Sequence, residues 1–191
     1  MDFIIATHNK HKTEEFKRIL TPLNINIICA DLPEVEETGK TFKENALLKA
    51  KSAYKATGKI CVADDSGISV DILNGEPGIY SARYSGINAT AKENNKKLLK
   101  KLEGVKKEDR KAHYTCAIAC VGENIEFTVE GYMFGEIGFK EQGTNGFGYD
   151  PLFISEKGPL GLISAKEKDS ISHRNAALKK FKEKLEELNL C

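Results

Sequence analysis

Short apolar runs typical of buried strands alternate with helical segments along this chain, and that alternation constrains the fold more than any other feature. Residues 3–6, 25–29 and 60–63 are such runs, and helical patterns lie between them. Residues 112–121 and 125–134 flank the turn sequence Gly122-Glu123-Asn124, which predicts a long antiparallel hairpin. Strands that alternate with helices, together with one hairpin, predict an α/β fold with a mixed sheet.

Capping patterns mark where two of the helices begin. Thr41 with Glu44, and Thr90 with Glu93, have the Thr-x-x-Glu spacing of a capping box. Gly58 is suited to end the first of these helices in the left-handed conformation. Two further helices are predicted from apolar side chains spaced three or four apart. One carries Phe16, Ile19, Leu20 and Leu23 and stops near Pro22 and Asn24, and the last carries Ala177, Phe181, Leu185 and Leu188.

Composition limits the class of protein. A chain of 191 residues that is 40% hydrophobic can bury a core without disulfides, and in the absence of repeats or a linker we expect one domain over residues 1–191. Its 29 Lys and Arg against 28 Asp and Glu disfavour a nucleic-acid partner. No run approaches the ~20 apolar residues of a membrane span. Residues 1–6 lack the positive start and the long apolar stretch of a secretory signal, so we expect a soluble, cytoplasmic protein. Five cysteines without a C-x-x-C motif indicate reduced thiols.

Three polar clusters follow predicted strands, and open α/β sheets bind ligands at strand ends. The first cluster, residues 7–12, leads into a helix whose free N–H groups and dipole attract anions. Lys10 and Lys12 add positive charge, so the cluster suits a phosphate chain. The alternative is that Thr7 or Asn9 only caps the helix and the lysines are solvated.

The second cluster, Asp64-Asp65-Ser66-Gly67, comes directly after an apolar strand. Two carboxylates ~4 Å apart repel each other by about 4 kcal/mol at an effective dielectric constant of about 20, so a cation or a helix terminus is expected beside them. Mg²⁺ is suited to this position because it takes one or two carboxylates, waters and phosphate oxygens, and Glu36 or Glu37 is a candidate for the second carboxylate. The alternative is an Asp-Ser-Gly turn with a capping aspartate.

The third cluster is the glycine loop, residues 143–151, in which small residues alternate with two aromatic ones. Glycines let a flat ligand approach the backbone, and Phe147 or Tyr149 could stack on a base. Lys168 and the sequence Ser172-His173-Arg174 offer a further anion site. A plain loop also explains the glycines.

Familiar motifs are missing from the chain. Thr38-Gly39-Lys40-Thr41 resembles the tail of a P-loop, but Glu34 stands where the first glycine of that motif should be. No G-x-G-x-x-G, G-x-S-x-G or H-E-x-x-H motif occurs. The usual support for a dinucleotide oxidoreductase, a serine hydrolase or a zinc protease is therefore absent.

Taken together, the clusters resemble, in order and over nearly the whole chain, the inosine/xanthosine triphosphate pyrophosphatase family, also called Ham1-like. His8 stands where that family often has a glycine. The motifs that carry the resemblance are Ala6-Thr7-x-Asn9-x-x-Lys12, Glu36-Glu37-Thr38-Gly39-x-Thr41-Phe42-x-Glu44-Asn45-Ala46, Ala63-Asp64-Asp65-Ser66-Gly67, Pro77-Gly78-Ile79-Tyr80-Ser81-Ala82-Arg83-Tyr84, Gly146-Phe147-Gly148-Tyr149-Asp150-Pro151 and Ser172-His173-Arg174.

The resemblance implies a Mg²⁺-dependent hydrolase that converts ITP, dITP and XTP to the monophosphate and pyrophosphate. It also implies an elongated two-lobed α/β fold around a long mixed sheet flanked by helices, a nucleotide cleft between the lobes, and a homodimer. Asp65 would be the general base and a Mg²⁺ ligand, and Glu36 a second ligand. The residues that would hold the substrate are Thr7, His8, Asn9, Lys10, His11, Lys12 and Ser66 at the phosphates, and Phe147, Gly148, Tyr149, Asp150, Lys168, His173 and Arg174 at the nucleotide, chiefly its base.

Base selection follows from hydrogen-bond chemistry. Hypoxanthine and xanthine carry a 6-oxo acceptor and an N1–H donor, the reverse of adenine. A donor such as Arg174 or a loop N–H, with an acceptor such as Asp150, would therefore reject ATP. Two alternatives stay open: a pyrophosphatase for modified pyrimidine nucleotides, and a nucleotide sensor without catalysis.

Overall fold

The structure, a computed structural model, describes residues 2–7, 9–20, 26–30, 32 and 35–190. The side chains of residues 10, 11, 19 and 20 are outside the description. The expectations for residues 22–25 and 34 therefore lie outside the described residues, as does that for His8.

A mixed sheet organises the described chain, with strand order β2-β1-β3-β4-β5-β6-β7. The strands are β1 (Asp2–Ile5), β2 (Asn26–Cys29), β3 (Cys61–Val70), β4 (Lys111–Gly122), β5 (Ile125–Ile137), β6 (Phe153–Ser155) and β7 (Gly158–Pro159). The α-helices are α1 (Lys10–Leu20), α2 (Phe42–Thr57), α3 (Ala91–Lys101), α4 (Ala165–Ile171) and α5 (His173–Glu187). Short 3₁₀ helices cover Asp71–Leu73, Gly78–Arg83 and Lys107–Asp109.

Strand directions agree with the predicted α/β class. β1 is parallel to both β2 and β3, whereas β6 is antiparallel to β5 and to β7. β4 and β5 are neighbours joined by two residues, Glu123 and Asn124, and Asn124 adopts φ 59°. This is the predicted hairpin, with a turn that needs the left-handed region. The expectation of an α/β fold with a mixed sheet is confirmed.

The chain divides into two compact units. The first unit comprises Met1–Asp65, Cys116–Gly131 and Arg174–Cys191. On one face of its strands, Phe16 of α1 and Phe181 of α5 pack against Phe3, Val62 and Ile118. On the other face, α2 packs through small residues, Ala46 and Ala50, against Ala63, Ala117 and Ala119. Successive strand residues point to opposite faces, so this unit holds helices on both sides of its strands.

The second unit comprises Ser66–Thr115 and Tyr132–His173. Its core joins Leu98 of α3, and Leu102 directly after that helix, to strand residues such as Ile68, Met133 and Phe153. The Thr90–Glu93 capping box is complete, because each side chain bonds to the backbone of the other residue. Ser164 and Glu167 form a second complete capping box, at the start of α4.

Three local expectations need correction. The strand predicted to end before Asp64 continues through it to Val70, so the second cluster lies inside β3 and is not a turn. Residues 74–86 are rich in Gly and Pro, which predicts a loop, but Gly78–Arg83 within them forms a 3₁₀ helix. Leu188 lies beyond α5 and is exposed, whereas Ala177, Phe181 and Leu185 are buried as predicted. Among the described helices, none is long and apolar enough to cross a membrane.

Candidate active site

The turn from β1 into α1 is capped by its own polar residues. The Asn9 Oδ1 accepts from the Lys12 N–H at 3.3 Å, and the Asn9 N–H donates to the Thr7 hydroxyl at 3.2 Å. Asn9 thus has the capping role given above as the alternative. The Lys12 side chain is not solvated, since its Nζ lies 3.0 Å from an oxygen of Asp64. Phosphate binding by residues 7–12 stays a prediction.

Asp64 is buried in β3 and surrounded by positive charge. Its Oδ2 lies 3.0 Å from the Lys12 ammonium and 3.1 Å from the guanidinium of Arg174, which also contacts Glu15. Burial alone would raise the pKa of Asp64, but Lys12 and Arg174 outweigh it and hold that pKa well below its usual range. Asp64 is therefore ionised at neutral pH. Its Oδ1 is buried and has no hydrogen-bond partner among the described residues.

Asp65 has different neighbours because the next residue of a strand points to the other face. Its carboxylate accepts from Asn45 Nδ2 at 3.2 Å and lies 3.5 Å from Lys49 Nζ, and both partners are on α2. Burial raises the pKa of Asp65, Lys49 opposes that increase, and the negative charge of Glu37 adds to it. The result is a carboxylate with a pKa above its ordinary value. Such a group is a stronger proton acceptor once ionised.

Asn45 and Lys49 are the residues of this site that sequence reasoning missed. They are four apart on α2 and so lie on the same side of the helix. Lys49 donates to Glu37 at 2.6 Å, and the Gly39 N–H donates to Asn45 Oδ1 at 2.8 Å. Burial lowers the pKa of Lys49, but the carboxylates around it raise it above the ordinary value, so Lys49 stays charged. The i, i+4 spacing of two polar residues on an otherwise alanine-rich face was a signal that the sequence contained.

The charged side chains described above form what we call the acidic site, in which carboxylates outnumber cations among the side chains that the structure describes. A triphosphate would add negative charge, so a hard divalent cation fits the donor set, and the buried Asp64 Oδ1 is an unused oxygen. The described residues contain no cluster of three or more metal-ligating side chains, and Mg²⁺ does not require one. The members are the carboxylates of Glu15, Glu37, Asp64 and Asp65 and the cations Lys12, Lys49 and Arg174.

Two of the residues predicted for the site have surroundings that differ from those expected. Glu36 is exposed, and Glu37 is the residue that contacts Lys49. The role of Glu36 as a metal ligand stays a prediction. Arg174 is fully buried against Asp64 and Glu15, and these contacts give it a role in holding Asp64. Its predicted contact with the base stays a prediction too.

The glycine loop is organised around the buried carboxylate of Asp150. One oxygen accepts from the Phe147 N–H at 2.8 Å and from Lys168 Nζ at 2.6 Å, and the other accepts from the Tyr114 hydroxyl at 3.2 Å. A Cβ at Gly146, where φ is +78°, would overlap this carboxylate. The hydrogen bonds of the buried Asp150 carboxylate therefore fix the conformation of the loop.

The two aromatic residues of the loop differ in exposure. Tyr149 is buried in the core of the second unit, and its hydroxyl donates to the Ser81 carbonyl at 2.8 Å. Phe147 is half-buried, with the Lys168 ammonium 4.5 Å from its ring centre. Phe147 is thus the better placed of the two to stack on a base.

The remaining predicted residues are placed as follows. His173 is buried and stacks on Tyr114 with ring centres 4.7 Å apart. Ser66 follows Asp65 in β3 and is half-buried. The side chains of Lys10 and His11, like the whole of His8, lie outside the described residues.

The sequence profile of the Ham1 family matches residues 3–184. A curated relative from Bacillus licheniformis, named dITP/XTP pyrophosphatase, is 50% identical over 187 residues, which cover 94% of this chain and 95% of the relative.

Solved structures agree with that match. The Ham1 protein of Staphylococcus aureus superposes with a TM-score of 0.86 at 40% identity, covering 97% of this chain and 98% of that one. A HAM1 protein from Coxiella burnetii gives a TM-score of 0.89 at 38% identity, with coverage of 98% and 99%. Each similarity extends over both units of the chain.

Proposed function

Because the chain belongs to the Ham1 family, we propose that it hydrolyses noncanonical purine nucleoside triphosphates, namely dITP, XTP and ITP, to the monophosphate and pyrophosphate. The reaction removes deaminated purines from the nucleotide pool. One observation carries the proposal: a buried carboxylate of raised pKa, Asp65, held between an amide and a charged lysine on α2.

Asp65 is the general base in this proposal. Its carboxylate takes a proton from water, the water oxygen attacks the α-phosphorus, and the bond from that phosphorus to the α–β bridging oxygen breaks. Pyrophosphate leaves with the bond electrons. Asn45 orients the carboxylate, and Lys49 limits the rise in its pKa so that it is ionised when substrate binds. Lys12 and the N-terminal end of α1 attract the phosphates.

A Mg²⁺ ion is part of the proposal. Asp65 would hold it, with Glu36 as the second ligand that the family resemblance implies, and it would neutralise charge on the phosphates when bound. Among the described side chains of the acidic site, the excess of carboxylates over cations supports such an ion.

The glycine loop recognises the base. Phe147 provides a face for stacking, and the backbone N–H groups of the loop can donate to a 6-oxo group. Lys168, His173 and Arg174 complete the nucleotide-binding set that the resemblance implies. A matched polar site rejects the wrong base by roughly 10⁴-fold, because the mismatch leaves buried groups unpaired.

Pyrophosphate release from dITP, XTP, ITP, GTP and ATP tests the proposal. We expect release from the first three in the presence of Mg²⁺ and none after chelation with EDTA. The variant Asp65→Asn should abolish turnover but still bind nucleotide, whereas Asp109→Asn, at an exposed aspartate, should behave as the wild type. An Asp65→Asn enzyme that keeps more than about a tenth of the activity would remove Asp65 from the base role.

The same assay, with a modified pyrimidine triphosphate added to the substrates, separates the alternatives. Preference for a modified pyrimidine triphosphate would indicate the related pyrimidine-directed enzyme, and tight binding without release would indicate a sensor. Equal rates on GTP and ITP would contradict selective removal of deaminated purines.

The proposal extends to a homodimer acting in the cytoplasm. Light scattering tests the dimer, and cell fractionation tests the location.

A further inference from the structure

Asn95 of α3 is buried, with 2% of its surface exposed, and contacts the glycine loop. Its Nδ2 donates to the Gly148 carbonyl at 3.2 Å and to Glu141 Oε1 at 2.8 Å. Both partners can only accept, so the orientation of the amide is fixed. In the part of the chain that the structure describes, the buried Oδ1 of Asn95 has no donor. Buried polar side-chain atoms nearly always have a hydrogen-bond partner. The exception at Asn95 Oδ1 therefore suggests that the contact with the glycine loop has a role beyond stability.

The contact with Asn95 fixes the peptide between Gly148 and Tyr149. In a trans peptide the C=O and N–H groups point to opposite sides, so a carbonyl held toward Asn95 directs the Tyr149 N–H away from it. Gly148 has φ +62° and the conformational freedom of glycine, which makes rotation of this peptide easy without an external contact. The hydroxyl of Tyr149 is bound to Ser81, and that contact anchors the ring but not the peptide.

We propose that Asn95 is a positioning residue for base selection, acting through the Gly148 carbonyl. This inference rests on the proposed function. With the carbonyl held, the loop presents N–H groups to a 6-oxo purine. If the peptide rotated, the loop would present a carbonyl, which accepts from the 6-amino group of adenine. Asn95 therefore disfavours ATP by holding one peptide orientation.

The variant Asn95→Asp tests the inference, because it replaces the donor Nδ2 with an oxygen. The new carboxylate repels the Gly148 carbonyl and attracts the Tyr149 N–H, so it favours the rotated peptide. The measured quantity is kcat/KM for ITP divided by kcat/KM for ATP in one preparation, a ratio that does not depend on the fraction of folded enzyme. We expect this ratio to fall at least about tenfold, the change associated with one hydrogen bond.

Two companion variants separate selection from stability. Glu141→Gln keeps an acceptor for Asn95 and should leave the ratio unchanged. The double variant N95D/E141Q restores a donor and acceptor pair between the two side chains but not the contact with Gly148. We expect it to regain thermal stability relative to Asn95→Asp and to keep the lowered ratio, which also covers the case in which the single variant does not fold.

The outcomes distinguish a failure of this inference from a failure of the proposed function. If the wild type releases no pyrophosphate from ITP, dITP or XTP, the proposed function fails. If the wild type is active and selective, a ratio within twofold of wild type in both the single variant N95D and the double variant overturns the inference alone. Recovery of the ratio in the double variant also overturns it, because the Gly148 contact would still be missing.

Discussion

The buried ion pairs of Arg174 predict the largest loss of stability from a single substitution at the acidic site. Arg174→Met keeps much of the side-chain volume but leaves Asp64 and Glu15 without the guanidinium. Removing one partner of a buried pair costs about 3–5 kcal/mol, and because Lys12 stays 3.0 Å from Asp64 we expect about 3–4 kcal/mol. For a chain of this size each kcal/mol lowers Tm by about 2–4 °C, so the expected decrease is about 6–16 °C.

Thermal unfolding at pH 7, followed by circular dichroism, measures this decrease. The matched control is Lys182→Met on the same helix, where the lysine pairs with Glu186 at 3.4 Å and both side chains are about half exposed. An exposed pair contributes at most about 1 kcal/mol, so the control should change Tm by less than about 4 °C. Equal decreases for Arg174→Met and the control would refute the reasoning, since the cost would then not arise from burial.

The pH dependence of the same variant gives an independent check. Asp64 has a pKa below its ordinary value in the folded protein, so its stabilising contribution is present above the unfolded value of about 4 and is lost as the pH falls through the folded value. Without Arg174 the carboxyl takes up a proton at a higher pH. The difference in Tm between wild type and variant should therefore be largest near neutral pH and become smaller below pH ~4.

Three further predictions concern activity, stability and metal binding. Lys49→Met should lower kcat/KM for dITP by about 10²-fold in steady-state assays, because it removes a cation from beside two carboxylates; a change under threefold would contradict this. Gly146→Ala should lower the stability by at least about 1–2 kcal/mol in urea unfolding, because a Cβ there meets Asp150 at positive φ; an unchanged midpoint would contradict it. Glu36→Gln should raise the Mg²⁺ concentration for half-maximal rate about tenfold or more. If Glu37→Gln has the larger effect, Glu37 is the ligand.

Features set by neighbouring residues were predictable from the sequence. The Thr90–Glu93 capping box and the β4–β5 hairpin depend on residues within a few positions of each other, and both are present. The boundary of β3 was not predictable in the same way. A run of Asp-Asp-Ser-Gly normally ends a strand, but here the carboxylates gain cations from elsewhere in the chain, so the strand can continue through them.

Contacts of the two aspartates with residues far away in the sequence could not be predicted from local patterns. Arg174 is 110 positions from Asp64, and no local pattern connects them. The role of Lys49 could have been predicted from the sequence, because its spacing from Asn45 places both residues on one side of α2. The resemblance identified the motifs but did not show which side chains hold each other, and that information is carried by the packing of α1, α2 and α5 on the strands.

The separation of Asp64 from Asp65 resolves the electrostatic problem that the adjacent carboxylates raised. We expected a cation beside the pair, and each carboxylate has its own, because a strand directs neighbouring side chains to opposite faces. Asp64 meets Lys12 and Arg174 on one face, and Asp65 meets the α2 side chains on the other. The two pKa values consequently shift in opposite directions. Asp64 is held ionised among cations, and Asp65 keeps the higher proton affinity that its proposed role as general base needs.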